Sequence, residues 1–270
     1  MSTTLISISN WQILSRRWRN VLREIQDTLV YCSSFGILKE KKKGGIFMVL
    51  KFWGDGSIEA MNQVEQIAVR STDNFNWTFI FILAVVFYVY WTEIKNKNYD
   101  VIYAGLALYG VHWLYEIGNA IIGHFTGYPL WAVSNASTTY ILLVGVCWEL
   151  SMMFSIAGII SFKMLPDDHN KRYFAKGNFK GISCKAMTTI QMALLYALFE
   201  SFLAGTSNWS FIWVYKWWGV WPVFITTYVP FFLAANYVPD WPAKKRNAFL
   251  IGIWGLVAIL LITLIPLGII

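Results

Sequence analysis

Six apolar stretches constrain this chain more than any short motif does. They run at about Phe75–Ile94, Val101–Gly123, Thr139–Leu165, Ala186–Thr206, Trp217–Tyr237 and Ala248–Gly268. Each is close to the roughly 20 residues that a helix needs to cross a bilayer. Hydrocarbon offers no partner for a free backbone N–H or C=O, so such segments must satisfy their own backbone as helices. The expected fold is therefore all-α, a polytopic bundle of about six transmembrane helices forming one domain over residues 76–270. Composition agrees: 14% of residues are charged, against about 25% in soluble domains.

The links between the segments set an orientation. Lys95 and Lys97 follow the first segment, and no Lys or Arg lies between Gly123 and Thr139. The link 163–185 holds Lys163, Lys171, Arg172, Lys176, Lys180 and Lys185; only Lys216 lies in the next one, and Lys244, Lys245 and Arg246 precede the sixth segment. Basic residues accumulate on the cytoplasmic side, which puts the first, third and fifth links inside and both termini outside. The net charge of +7 is thus a topology signal. The partner it implies is the lipid bilayer of a prokaryotic cell, not nucleic acid. Cys32, Cys147 and Cys184 have neither metal nor disulfide spacing.

Residues 1–47 read differently. They carry Arg16, Arg17, Arg19, Arg23, Lys39, Lys41, Lys42 and Lys43, and they lack the apolar core and small-residue site of a secretory signal. Trp11–Leu29 reads as a basic amphipathic helix at most. Lys41-Lys42-Lys43-Gly44-Gly45-Ile46-Phe47-Met48 is what a purine-rich ribosome-binding site gives when translated, so synthesis is expected to begin at Met48. Residues 48–75 are then an external or interfacial segment, with Ile58, Met61, Val64 and Ile67 at helical spacing.

Several polar residues fall inside the apolar segments. His112, Glu116 and Asn119 share one helix face at i, i+4 and i+7. Counted from the outer ends at 1.5 Å per residue, Glu116 lies roughly 10 Å deep, Glu149 roughly 15 Å and Glu200 roughly 9 Å. His112 is level with Glu149, and Thr226, Thr227 and Tyr228 reach the same depth on a fifth helix kinked by Pro222 and Pro230. The first and sixth segments offer only apolar side chains there and are read as packing helices. A charge at mid-membrane costs about 2.5–3.5 kcal/mol on insertion scales, so three glutamates with no Lys or Arg at their depth point to a functional interior. Asn119, Thr226, Thr227 and Tyr228 read either as interhelical glue, worth about 1 kcal/mol or less, or as substrate contacts together with Tyr196 and Trp148. The tryptophans at 209, 213, 217, 218 and 221 read as an interfacial belt or as the wall of a pocket. His124 reads as interfacial and Cys147 as a small buried residue.

Three carboxyls gathered in low dielectric cannot all ionise, so at least one is expected to hold a proton beside His112. That pairing of acid and base can move protons on and off carbon. His112, Glu116, Glu149 and Glu200 are accordingly the catalytic candidates. There is no nucleophile elbow, no set of His boxes and no nucleotide loop, and no cofactor or metal is expected.

The His112-x3-Glu116 pair, the further Glu149 and the aromatic-rich helices over roughly 100–237 resemble the emopamil-binding (EXPERA) family, which includes sterol isomerases. The resemblance implies that His112, Glu116 and Glu149 move protons around a double bond of a lipid or isoprenoid. Glu116 followed by Gly127-Tyr128-Pro129 is similar, more faintly, to membrane carotenoid hydratases and cyclases. A membrane isomerase, hydratase or cyclase is thus the first expectation. A proton-coupled transporter or lipid-binding carrier is the second, although six helices without matching Gly/Pro-broken halves fit it poorly. A Glu/His metal site is the third, although the ExxH pairing of di-iron bundles is missing.

Overall fold

The computed structural model describes residues 50–54, 56–73, 75, 77, 79–134, 138, 140–176, 180–205 and 211–270. The proposed upstream extension 1–47 and Trp209 lie outside the described residues. Helices dominate: α1 (Ile58–Glu65), α2 (Phe79–Lys95), α3 (Tyr99–Thr126), α4 (Trp148–Lys163), α5 (Cys184–Gly205), α6 and α7 (Ala243–Leu264). Helix α6 comes in three consecutive pieces, an α-turn Val220–Pro222, a π-helical stretch Val223–Tyr228 and an α-helix Val229–Tyr237.

Two of these helices, α5 and α7, are long and apolar enough to cross a membrane. Large apolar side chains face outward on α2 (Phe81, Phe87, Trp91), α5 (Leu195, Phe199) and α7 (Ile251, Ile262). Such a girdle is an error in water and a fit to lipid.

The chain is not purely helical. Three antiparallel two-stranded ribbons pair β1 (Trp131–Val133) with β6 (Phe211–Trp213), β2 (Ile141–Leu143) with β3 (Val146–Cys147), and β4 (Arg172–Tyr173) with β5 (Ile182–Ser183). This corrects the reading of Thr139–Leu165 as one continuous helix. Ile141–Cys147 is a hairpin, and helix α4 starts only at Trp148. Ile141-Leu142-Leu143-Val144-Gly145-Val146 is apolar throughout, which suits a buried strand as well as a helix. Gly145 supplies the turn.

Close packing in the bundle rests on small residues. A Cβ on Gly158 of α4 would press into the carbonyl of Ala104 on α3, and one on Gly105 would meet Ile159, Tyr90 and the Ser155 carbonyl at 2.8–3.2 Å. Helices α3 and α4 therefore approach almost backbone to backbone, as small residues allow in membranes. Tyr90 of α2 donates to the Ser155 carbonyl at 2.7 Å, and Trp254 of α7 donates to the Leu106 carbonyl at 3.2 Å. Those bonds fix the two outer helices against the core pair. A polar chain that sequence reading missed ties three helices together: Ser161 donates to Asn236 (3.0 Å), which donates to Thr189 (3.1 Å), which donates to the Phe232 carbonyl (3.4 Å).

The α3–β1 end of the bundle carries a cap. Ribbon β1/β6 is buried on both faces, and its side chains alternate between them. Trp131, Val133, Phe211 and Trp213 face the main core, while Ala132 and Ile212 face Ala60, Met61 and Val64 of α1. Residues 50–54 cross this end, with Gly54 donating to the Trp218 carbonyl and Ser201 donating to the Lys51 carbonyl. Tyr128 donates to Glu65 at 2.8 Å, which raises the phenol above its ordinary pKa. At the opposite end His169 and Lys185 both meet Asp240, and Arg246 meets Asp100.

Candidate functional site

Helices α3, α4, α5 and α6 enclose a cavity under the cap. Two carboxylates reach it, Glu116 from α3 and Glu200 from α5, 5% and 7% exposed. Both are held by indoles of the cap ribbon. Trp131 donates Nε1–H to the two Glu116 oxygens at 3.3 and 3.2 Å, and Trp213 donates to Glu200 at 2.6 Å. Trp131 and Trp213 are directly opposite each other in the β1/β6 register, so one pair of cross-strand residues positions both acids. Tyr228 donates to the other Glu200 oxygen at 2.5 Å.

The π-helical stretch gives α6 its part in the site. Pro230 has no N–H to return to the carbonyl four residues earlier, and the register widens through Val223–Tyr228. Single-turn π segments concentrate at functional sites for this reason: they re-aim side chains. Here the extra turn places both Thr227 and Tyr228 on the cavity. Thr226 faces outward and donates to the Pro222 carbonyl at 2.7 Å.

Aromatic rings wall the space, Trp131, Trp218, Phe154, Tyr196, Tyr228 and Phe231 among them. Trp131 stacks on Trp218 at 5.5 Å between centroids. Among the described residues no Lys, Arg or His lines it. His112 sits one turn below Glu116, its Nε2 3.5 Å from Oε1, stacked on Phe154 at 4.1 Å. Neither of its ring nitrogens has a hydrogen-bond partner, although the residue is buried. A native protein rarely leaves a buried imidazole so, and function is one of the few explanations.

The candidates read from sequence thus divide. Glu116, Glu200, Tyr196, Thr227 and Tyr228 line one cavity, with His112 behind it. Asn119 is a clamp: its amide donates to the Trp131 carbonyl at 2.8 Å and accepts from the Leu130 N–H at 2.8 Å, fixing the strand that carries the Glu116 donor. Glu149 does not line the cavity. Because α4 starts at Trp148, Glu149 lies in its first turn, half-buried, and accepts from Thr138 at 2.6 Å. The depth count failed there because it began from a helix end that is a strand. Trp148 is also away from the cavity, stacked on Phe79. Sequence reading missed Trp131, and it left Trp213 and Trp218 between belt and wall; both are buried beside the acids, while Trp217 and Trp221 are exposed. Among the described residues no three His, Cys, Asp or Glu side chains gather as a metal site requires.

Gly145 in the β2–β3 turn closes the site from above. A Cβ there would press on Glu116 Oε2, Trp131 Nε1 and Asn119 Nδ2. Gly145→Ala should therefore push the carboxylate off its indole donor and cost about 1–3 kcal/mol, as overpacking does. A lowered midpoint of thermal unfolding in detergent, with a shift in tryptophan emission, is the expected result. An unchanged midpoint and spectrum would mean that the turn is loose.

Fold and site together define a helical-bundle membrane protein with a buried, acidic, aromatic-walled cavity. The chain belongs to an uncharacterized membrane protein family, whose model matches residues 58–266. It is 36% identical over 208 residues to an uncharacterized protein of Archaeoglobus fulgidus, covering 76% of this chain and 94% of that one. No solved structure matches the chain. Nothing in these comparisons ties it to the emopamil-binding proteins.

Proposed function

We propose that the protein is a membrane-embedded acid–base enzyme, of isomerase, hydratase or cyclase type, acting on a lipid or isoprenoid. The carrying observation is the pair Glu116 and Glu200, buried on one cavity that no Lys or Arg lines among the described residues. Acids so placed are costly and mark proton chemistry more often than packing. Ring faces attract positive charge, and preorganised groups act most where charge develops in a low-dielectric site. Carboxylates and aromatic faces together favour a substrate that becomes positive, as a double bond does when protonated. One carboxyl gives a proton to one carbon, and the other takes a proton from a neighbour. His112, beside Glu116, is placed to exchange a proton with it.

The route for such a substrate is lateral. Helices α4 and α5 meet only briefly and pack mainly on α3 and α6. Leu150 and Met153 on one side and Phe199 and Leu203 on the other form the mouth, and Phe199 is 45% exposed. An apolar mouth facing the hydrocarbon admits lipid-soluble molecules. The enclosed volume is about 40 Å³, so α4 and α5 must part to seat more than a few atoms. The spacing of His112 and Glu116 that resembles the emopamil-binding family supports the same class of chemistry.

The test is isotopic and needs no known substrate. Membranes containing the protein are incubated in D2O, and their lipids are read by mass spectrometry. Deuterium entering a lipid C–H position only when the protein is present is the expected result. Were no such incorporation found, while reconstituted vesicles showed protein-dependent proton flux, the carrier reading would replace this one.

Six spanning helices with the cap outside belong to the same proposal. Lys176→Cys, in the link between α4 and α5, should be shielded from an impermeant thiol reagent in intact cells, and Phe125→Cys at the end of α3 should react. The reverse pattern would turn the protein over.

A further inference from the structure

A second, larger cavity lies across the β2–β3 turn from the first. It measures about 270 Å³ and is bordered by Glu65, Arg70 and His124, all exposed, polar groups that favour water over hydrocarbon. Three pairs of near neighbours separate the two spaces. Val144 lines the larger chamber and Gly145 the buried cavity; Ala120 lines the chamber and Glu116, one turn away on α3, the cavity; Pro129 lines the chamber and Trp131 the cavity. The partition is one layer of residues thick, and its thinnest part is a turn with no side chain over Glu116.

Polar groups on the inner side lack partners. The Trp218 indole N–H and the Thr227 hydroxyl, in residues 5% and 7% exposed, line the cavity without a hydrogen bond. A water needs about 10–15 Å³ of such space and two or more polar partners. The enclosed volume of about 40 Å³ therefore suits one to three waters, held by Trp218, Thr227 and the carboxylates.

We propose that the larger chamber is the site from which water and protons reach Glu116 and Glu200, with the Val144–Gly145 turn as the partition they cross. The lateral mouth is a poor route for water, because Leu150, Met153, Phe199 and Leu203 offer it no hydrogen bond. The hairpin that carries the turn is held from two sides: Val133 of β1 donates its N–H to the Val144 carbonyl at 2.9 Å, and on the chamber side Arg70 donates its backbone N–H to the Ile141 carbonyl and its guanidinium to the Leu142 carbonyl. The chamber thus contains the group that anchors its own partition. This inference stands on the two cavities and holds for an enzyme or for a proton carrier alike.

Water itself is the probe. The full chain, with ¹⁵N-labelled indoles and reconstituted in lipid nanodiscs, is placed in D2O, and the exchange of the Trp218 Nε1–H is followed by NMR. The resonance is assigned by its loss in Trp218→Phe. Val69→Phe, which fills the chamber, should slow this exchange about 10-fold or more, the scale on which closing a local opening shows in exchange. Leu203→Phe, which narrows the lateral mouth, should slow it less than Val69→Phe does. Val64→Phe on another chamber wall gives the same reading where Val69→Phe does not assemble. Slowing by Leu203→Phe and not by the chamber variants would overturn the proposal, as would a rate indifferent to all three. Because the readout is not turnover, it is separate from the deuterium test of the acid–base reading.

Discussion

Glu116→Gln and Glu200→Gln should each lower protein-dependent deuterium incorporation about 100-fold or more, the usual scale for losing a general acid or base. Glu149→Gln should leave it nearly unchanged. Each substitution keeps the size of the side chain and removes only the group that titrates. Gln keeps one accepting oxygen, so Trp131 keeps its acceptor at position 116 and Trp213 its acceptor at position 200, while the Tyr228 hydroxyl turns to accept from the new amide N–H. Insertion and folding should survive, because an amide is less costly than a charge in hydrocarbon. The contrast among the three carries the prediction. Glu149 sits in the first turn of α4 on Thr138, outside the cavity, so its loss tests whether any membrane glutamate matters or only the two that share a space. Equal loss at all three would show that the effect is structural. Full activity in both Glu116→Gln and Glu200→Gln would end the acid–base reading.

Much of this site is legible in the sequence because helices obey local rules. His112, Glu116 and Asn119 share a face by spacing alone, and Glu200 can be placed near Glu116 by counting residues from a helix end. Pro222 and Pro230 announce the irregular α6. The count breaks down at residues 141–147, where an apolar run with β-branched residues around Gly145 folds back as a hairpin. A glycine inside such a run is a turn signal, and the run is too ambiguous in period to decide between strand and helix. The pairing of Trp131 with Trp213 was beyond reach for another reason. It joins residues far apart in the chain through a three-residue ribbon, and nothing local marks either strand. With that ribbon unseen, Asn119 reads as interhelical glue or as a substrate contact, whereas it is bonded to the backbone of Leu130 and Trp131 at the start of β1. The donors that hold the acids therefore came to light only with the fold.

The largest effect on stability is expected at Gly158→Val. Helices α3 and α4 form one of the two broadest contacts in the bundle, the other being that of α5 with α6, and it closes where Gly158 lies against Ala104. A Cβ at 158 would meet the Ala104 carbonyl oxygen and carbon and the Gly105 Cα. All three are backbone atoms, so no side chain can turn aside to make room. The helices must separate, and the same crossing holds Tyr90 to Ser155, which binds α2 as well. Overpacking a tight core costs about 1–3 kcal/mol and occasionally more; with rigid backbone on both sides, Val should reach the top of that range, about 3 kcal/mol, and Ala should cost less. Gly118 gives the control, because a Cβ there meets nothing within 4 Å on the same helix α3. Gly118→Ala should therefore be neutral or slightly stabilising, as expected when a helix glycine becomes alanine. Thermal unfolding in one detergent, followed by helical circular dichroism, separates the cases. A Gly158→Val midpoint equal to that of the parent protein would mean that α3 and α4 are not packed backbone to backbone. Glu116 on α3 and Phe154 on α4 would then not be fixed across the cavity either.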